Sequence, residues 1–254
     1  MSSVSAAAPN SHWPYPRFIA HRGGGTLAPE NTLAGFREAR HFCFQGIETD
    51  VMLTADGAAV LSHDPVLGRV VKSASPVASL SLKEIKTLDA GSLTAQKWAG
   101  ERIPTLEEAI EACEANGLFM NIEIKPASES AAQATAQETV RIVRKLFEGK
   151  SLPLLSSFSR NALATAAVEA PEIPTGLLLE EIPTDWKEVC MKLAVKTVHP
   201  DWQSVTPDFV EEAHTMGLGV MCYTVDSPDT ADALFTLGVD AVCTNRLDLF
   251  ADRR

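Results

Sequence analysis

The stretch GLGVMCYTVDSPDTADALFTLGVDAVCTN (217–245) decides the fold. It opens with an apolar run over Leu218–Thr224, short enough and bounded sharply enough to be a strand. Ser227 then stands where a helix cap is wanted, and Pro228 occupies the first helical turn, where its missing N–H costs nothing. The helical pattern runs to Leu237 and stops at Gly238. A second apolar run, Ala241–Thr244, follows at once. The unit is strand, helix, strand, which places the two strands parallel. The same grammar repeats upstream. Thr206–Pro207 opens a helix that Gly217 closes, and Gly117 closes another over Leu106–Asn116. Further strands are expected over Arg17–His21, Gly46–Leu53, Ala59–Ser62, Leu118–Lys125, Leu152–Ser157, Thr175–Leu179 and Lys196–His199. Further helices are expected over Thr32–Phe44, Ser130–Phe147, Arg160–Glu169, Asp185–Leu193 and Leu247–Ala251. About eight β-α repeats in 254 residues favour a (β/α)8 TIM barrel of the α/β class over a doubly wound sheet. HRGGG (21–25) lacks the GxGxxG spacing of a dinucleotide site.

Residues 64–103 break the rhythm. About 40 residues of turns and short pieces are too long for an ordinary connection and read as a small insertion after the strand ending at His63. Residues 1–16 read as a loose N-terminal tail without the basic start and apolar core of a signal peptide. Residues 17–254 read as one barrel domain.

Chemistry concentrates in four segments: FIAHRGGGTLAPENTLAGF (18–36), GIETDVMLTADG (46–57), AAVLSHDP (58–65) and FMNIEIKP (119–126). Residues two apart on a strand share a face. Glu48 therefore sits beside Asp50, and Glu123 beside Lys125. Like charges on otherwise apolar strands are costly unless a cation compensates them, which points to a metal. His21 and His63, at strand ends, point to proton transfer beside it. Strand C-terminal ends are where barrels gather their active groups. Net charge is −11, from 22 basic and 33 acidic residues. That disfavours nucleic acid and anionic membranes as partners. The five cysteines form no CxxC pair and read as buried reduced thiols of a cytoplasmic protein. No stretch has the length of a membrane anchor.

HRGGGTLAPENTLAGF, GIETDVMLTADG, VLSHDPVLGR, LDAGS with AGERIPTLEEAI, and NIEIKP together resemble the glycerophosphodiester phosphodiesterase family, in its short cytosolic bacterial form. The likeness runs from about residue 17 to 250. It implies a (β/α)8 barrel with a small insertion after the second catalytic histidine. It implies a metal-dependent hydrolase cutting glycerophosphodiesters to glycerol 3-phosphate and an alcohol. By resemblance His21 and His63 match the catalytic pair, Glu48, Asp50 and Glu123 the metal ligands, and Arg22 and Lys125 the phosphate-contacting cations. Glu30, in the PENT motif, supports the metal site or positions Arg22. All-oxygen ligation favours Mg²⁺ or Ca²⁺, with Mn²⁺ acceptable. Three carboxylates, one divalent ion, two cations and one phosphodiester sum to zero, so the site suits an anion in an acidic protein. Later strands depart from the family: CYTVD has Tyr223 and Asp226 where a WTVN pattern is common, and CTNRLD has Asn245 where TDxP is common. Trp202, in HPDW, and Tyr223 are candidate pocket walls for the departing alcohol. Two rivals are a phospholipase C- or D-like enzyme on lysolipids and a non-catalytic barrel binding phosphorylated metabolites. The acidic charge and missing anchor speak against the first, and an intact acid–base pair against the second.

Overall fold

The computed structural model describes residues 12–253. Eight parallel strands close into a barrel. They are β1 (Phe18–Ala20), β2 (Gly46–Leu53), β4 (Phe119–Ile124), β5 (Leu154–Ser157), β6 (Thr175–Leu179), β7 (Thr197–Pro200), β8 (Gly219–Cys222) and β9 (Ala241–Thr244). Each strand pairs with the next along the ring, and β1 joins both β9 and β2 to close it. Helices α1 (Leu33–His41), α3 (Leu106–Asn116), α4 (Ala132–Leu146), α5 (Arg160–Glu169), α6 (Trp186–Leu193), α7 (Pro207–Thr215), α8 (Pro228–Thr236) and α9 (Leu247–Phe250) follow the strands in turn. The architecture is the expected (β/α)8 barrel.

The caps follow the sequence reading. Thr206 and Ser227 accept from the third helical N–H of α7 and α8, each with proline in the first turn. Gly117, at φ +62°, ends α3 in the left-handed region. Side chains alternate along every strand between the barrel interior and the helical shell. The shell core packs Phe36, Ile47, Leu106, Ile122, Leu155, Leu177 and Val220 against the helices. The interior carries Ile19, Leu154, Met221, Ala241 and Cys243.

Two expectations need correction. The Ala59–Ser62 run does form a strand, β3 (Ala59–Leu61), but it is antiparallel to β2 and outside the ring. β2 outruns its barrel neighbours, and β3 folds back along its end, Leu53 opposite Ala59 and Val51 opposite Leu61. The hairpin returns the chain to the level of Asp50, whose carbonyl accepts from Ser62 N–H at 3.0 Å. His63 thus reaches the barrel mouth from a hairpin rather than from a barrel strand. The second correction concerns residues 1–16. Residues 1–11 lie outside the described residues, but residues 12–16 are not loose. Trp13 is buried, donates to the Pro16 carbonyl at 3.0 Å, and meets Tyr15 and His199 edge-on. Its large apolar ring gains by closing the lower end of the barrel.

Residues 64–103 hold a short helix, α2 (Leu82–Ile85), and 3-10 turns. They build a core of their own on the hairpin: Leu67, Val71, Val77, Ile85, Ala90 and Ile103 against Met52 and Val60. All five cysteines are free; four are buried, and Cys43 is exposed, unlike the expectation for it.

Candidate active site

The period-two alternation that builds the barrel also builds the site. β2 presents Glu48 and Asp50 inward. β4 presents Asn121 and Glu123, with Lys125 just past its end; Glu48 is in register with Asn121 and Asp50 with Glu123. β1 delivers His21 just past its last residue. All of these but Asp50, which lies just behind, line a cavity of about 180 Å³ at the C-terminal end of the barrel, together with Arg22, His63, Ser156, Phe158, Leu178, Met221, Tyr223, Thr224 and Cys243.

Glu48, Asp50 and Glu123 are buried, and one oxygen from each lies within 4.8 Å of the others. Among the described residues this is the one such acidic group. Burial, and then the charges of Asp50 and Glu123, push the Glu48 carboxyl well above the usual range. Burial and Asp50 push Glu123 up to about 8. Burial acts on Asp50 in the same sense, but Lys125 and Arg22 outweigh it and hold Asp50 low. Lys125 Nζ lies 3.0 Å from Asp50 and 3.4 Å from Glu123. Asn31 also clamps Asp50: its Nδ2 donates to Oδ2 at 2.8 Å, while its Oδ1 accepts from the Asp50 N–H and from Thr49. Glu48 takes the Arg22 backbone N–H on Oε2 at 3.0 Å. Its Oε1 is buried with no hydrogen-bond partner. A buried, unpartnered carboxylate oxygen facing two more carboxyls fits a hard divalent cation.

The histidines are held from behind by different partners. His21 Nδ1 meets Asn245 Oδ1 at 2.7 Å. Asn245 has its amide nitrogen on Asp226, which only accepts, so its oxygen faces the ring. His21 therefore carries its proton on Nδ1, leaving a lone pair on Nε2, 3.8 Å from Glu48. Burial, with Arg22 beside it, lowers His21 to about 4. His63 Nδ1 donates to the Asp64 carboxylate at 2.8 Å. Burial lowers His63 too, with Asp50 and Asp64 pulling the other way.

The loop after β1 is shaped for this contact. Gly25, at φ +54°, lies so close to the Asn245 backbone that a Cβ would collide with it. Gly25 N–H returns to the His21 carbonyl, and Thr26 N–H reaches the Asn245 carbonyl, both at 2.9 Å.

The sequence-derived residues mostly converge here. Glu30 is not part of the acidic group: it accepts from Arg22 at 3.1 Å and from Arg69. Tyr223 lines the cavity, with its hydroxyl donating to the Leu179 carbonyl at 3.0 Å. Trp202 does not line it. Asp201 caps a 3-10 turn after β7, and that turn directs Trp202 to the shell core. His199 is fully buried inside the barrel on Thr197. Sequence reasoning missed Asn31, Asp64, Phe158, Asp226 and Asn245 as site residues. Inward parity on β5 would have found Phe158, and on β9 Asn245.

A sequence model of the glycerophosphoryl diester phosphodiesterase family matches residues 21–249. The chain belongs to that family. A glycerophosphodiester phosphodiesterase of Caldanaerobacter subterraneus is 33% identical over 89% of this chain and 93% of its own. One from Bacillus altitudinis is 30% identical over 93% of this chain and 96% of its own. An Oleispira antarctica phosphodiesterase, solved with its product sn-glycerol-3-phosphate, superposes with a TM-score of 0.89. It is 34% identical and covers 92% of this chain and 95% of that one. As a glycerophosphoryl diester phosphodiesterase, the chain is an enzyme that hydrolyses glycerophosphodiesters.

Proposed function

We propose that this enzyme cleaves its diester to sn-glycerol 3-phosphate and an alcohol by proton transfer to His21 and from His63, with one divalent cation held by Glu48, Asp50 and Glu123. The observation that carries the reading is the meeting, in one cavity, of both imidazoles, a buried acidic triad and two cations. The bound ion would supply charge stabilisation to the phosphoryl oxygens; Mg²⁺, Ca²⁺ and Mn²⁺ all suit the oxygen donors. Arg22 and Lys125 take the phosphate. His21, with Nε2 free, accepts the proton of the attacking hydroxyl. His63, backed by a carboxylate that favours the imidazolium, donates to the departing alcohol. The attacking group is the glycerol 2-hydroxyl, giving a cyclic phosphate that water then opens. The Oleispira enzyme's product supports the choice of glycerol phosphate as the retained half. Cytoplasmic action on soluble diesters accords with the acidic chain, and no helix among the described residues is long and apolar enough to cross a membrane.

A substrate panel with and without chelator tests this reading. Glycerophosphocholine and glycerophosphoethanolamine are expected to turn over with added Mg²⁺, Ca²⁺ or Mn²⁺. Excess chelator is expected to stop turnover reversibly, and lysophosphatidylcholine to be poor. Full activity in chelator with no bound metal sinks the metal assignment. Preference for the lysolipid moves the enzyme to the phospholipase class.

A further inference from the structure

Arg69 lies in the segment after β3, six residues beyond His63 and outside the cavity lining. Its guanidinium nonetheless reaches two groups that serve the site. Nε donates to Asp64 Oδ2 at 2.8 Å, and the two terminal nitrogens donate to both oxygens of Glu30, Nη2 to Oε1 at 2.6 Å. Asp64 gives its other oxygen to His63 Nδ1 at 2.8 Å. Glu30 also accepts from Arg22 Nη1 at 3.1 Å. One fork thus joins the backing of His63 to the backing of Arg22.

We infer that Arg69 is a positioning residue, which sets the orientation of His63 through Asp64 and of Arg22 through Glu30. The inference rests on the proton-transfer role given to His63 above. Asp64 alone could swivel about its side-chain torsions; with each oxygen on a different directional donor, it holds one plane and so fixes the imidazole. Arg69 is about half exposed, so its long-range field is screened. Its effect comes from the geometry of charge-assisted bonds that only a planar fork makes at once. Lysine can satisfy one partner but not both.

The fork also tempers Asp64. Sharing the carboxylate with a guanidinium leaves less negative charge for the imidazolium of His63. The other groups acting on His63 are Asp50, which favours the charged ring, and Arg22 and Lys125, which oppose it; His21 shares the cavity. Removing Arg69 acts on that balance through Asp64, which touches the ring, and through Glu30, which is then left to Arg22 alone. Asp64 then stabilises the imidazolium more, and Glu30 offsets more of the Arg22 charge, so the pH limb carried by His63 moves upward.

The experiment compares Arg69→Met, Arg69→Lys, His63→Ala and Arg37→Met, with folding checked by circular dichroism and turnover read across pH. Arg37 is the control. It pairs with Glu101 at 2.6 Å and so ties α1 to the end of the same segment without touching the site. Arg69→Met is expected to lower kcat/KM by roughly 10- to 100-fold, the range typical of residues that orient catalytic ligands, and to shift the His63 limb up. Arg69→Lys should fall between, and Arg37→Met should match wild type. An inactive His63→Ala beside an unchanged Arg69→Met overturns this inference alone. So does an Arg37→Met loss equal to that of Arg69→Met, because fastening the segment would then explain both. Near-normal turnover of His63→Ala overturns the proton-transfer reading and the inference with it. If Arg69→Met does not fold, Arg69→Lys with wild-type rate and pH profile overturns the inference.

Discussion

The two histidines differ more in what stands behind them than in what stands before them. His21 is backed by a neutral amide that is itself held by Asp226; His63 is backed by a carboxylate. The first arrangement favours a neutral ring with a free Nε2, and the second favours a ring that can carry a proton. His21→Ala and His63→Ala should each lower turnover by ~10²- to 10⁴-fold with the fold retained, since general acid and base contributions are of that size. A purified His63→Ala protein that turns over normally would remove His63 from the chemistry. The pair was legible in sequence from its setting at strand ends among carboxylates. Their backing residues were not. Asp226 and Asn245 are 19 residues apart and reach His21 only because β9 neighbours β1 at the barrel seam. Nothing local in HRGGG announces that neighbour.

Elements were more readable than contacts because their signals are local. Periodicity, caps and glycine stops fix a helix within about a turn, so the helices over 106–116 and 160–169 and the strands over 46–53, 175–179 and 241–244 fell at the expected residues. The apolar run at 59–62 gave its type but not its direction. Parallel and antiparallel partners bury the same side chains, and the choice was made by the short turn at Ala55–Gly57, which leaves room only for a hairpin. α3 shows how one element is tied to the segment beside it. Thr105 and Glu108 form a capping box, and Glu108 also holds Lys86, just past α2. Thr105→Ala should cost about 1 kcal/mol, the usual worth of such a cap, seen as a lower urea midpoint. Turnover below the midpoint should be unchanged, since α3 contributes nothing to the cavity lining. A midpoint equal to wild type would show that the box adds nothing to the fold.

At the scale of the whole molecule, the acidic triad sets a conflict between site and stability. Glu48 and Glu123 have raised pKa values in the fold, so the metal-free protein holds protons there that the unfolded chain releases above the ordinary carboxylate range. The contribution of these two groups to stability is therefore greatest on the mildly acid side. It declines as pH rises from the unfolded value of Glu123 toward about 8, where deprotonation forces charge into the barrel. Asp50 is depressed, so its contribution is lost only at lower pH, outside this window. Metal-free protein should melt lower at about pH 8.5 than at about pH 6, and a divalent ion should narrow the gap because its charge replaces the protons. Calorimetry with and without chelator measures it; equal melting temperatures across that range without metal would refute the buried-charge account. The net charge of −11 was readable from composition. That two of the triad's carboxyls are raised is a matter of burial, which composition does not carry.

The placement of the aromatic rim bears on how such an enzyme changes over generations. The acidic triad, both histidines, Arg22 and Lys125 all come from residues 21–125, whereas Phe158 and Tyr223, edge to face at 5.9 Å, follow strands β5 and β8 across the mouth. Neither ring shares a hydrogen bond with those carboxylates; the Tyr223 hydroxyl is spent on the Leu179 carbonyl. On the proposed reading of the site, substitutions there change the alcohol accepted while the groups that carry the reaction are inherited intact. A lineage built this way is able to acquire a new diet one substitution at a time, passing through functional ancestors at every step.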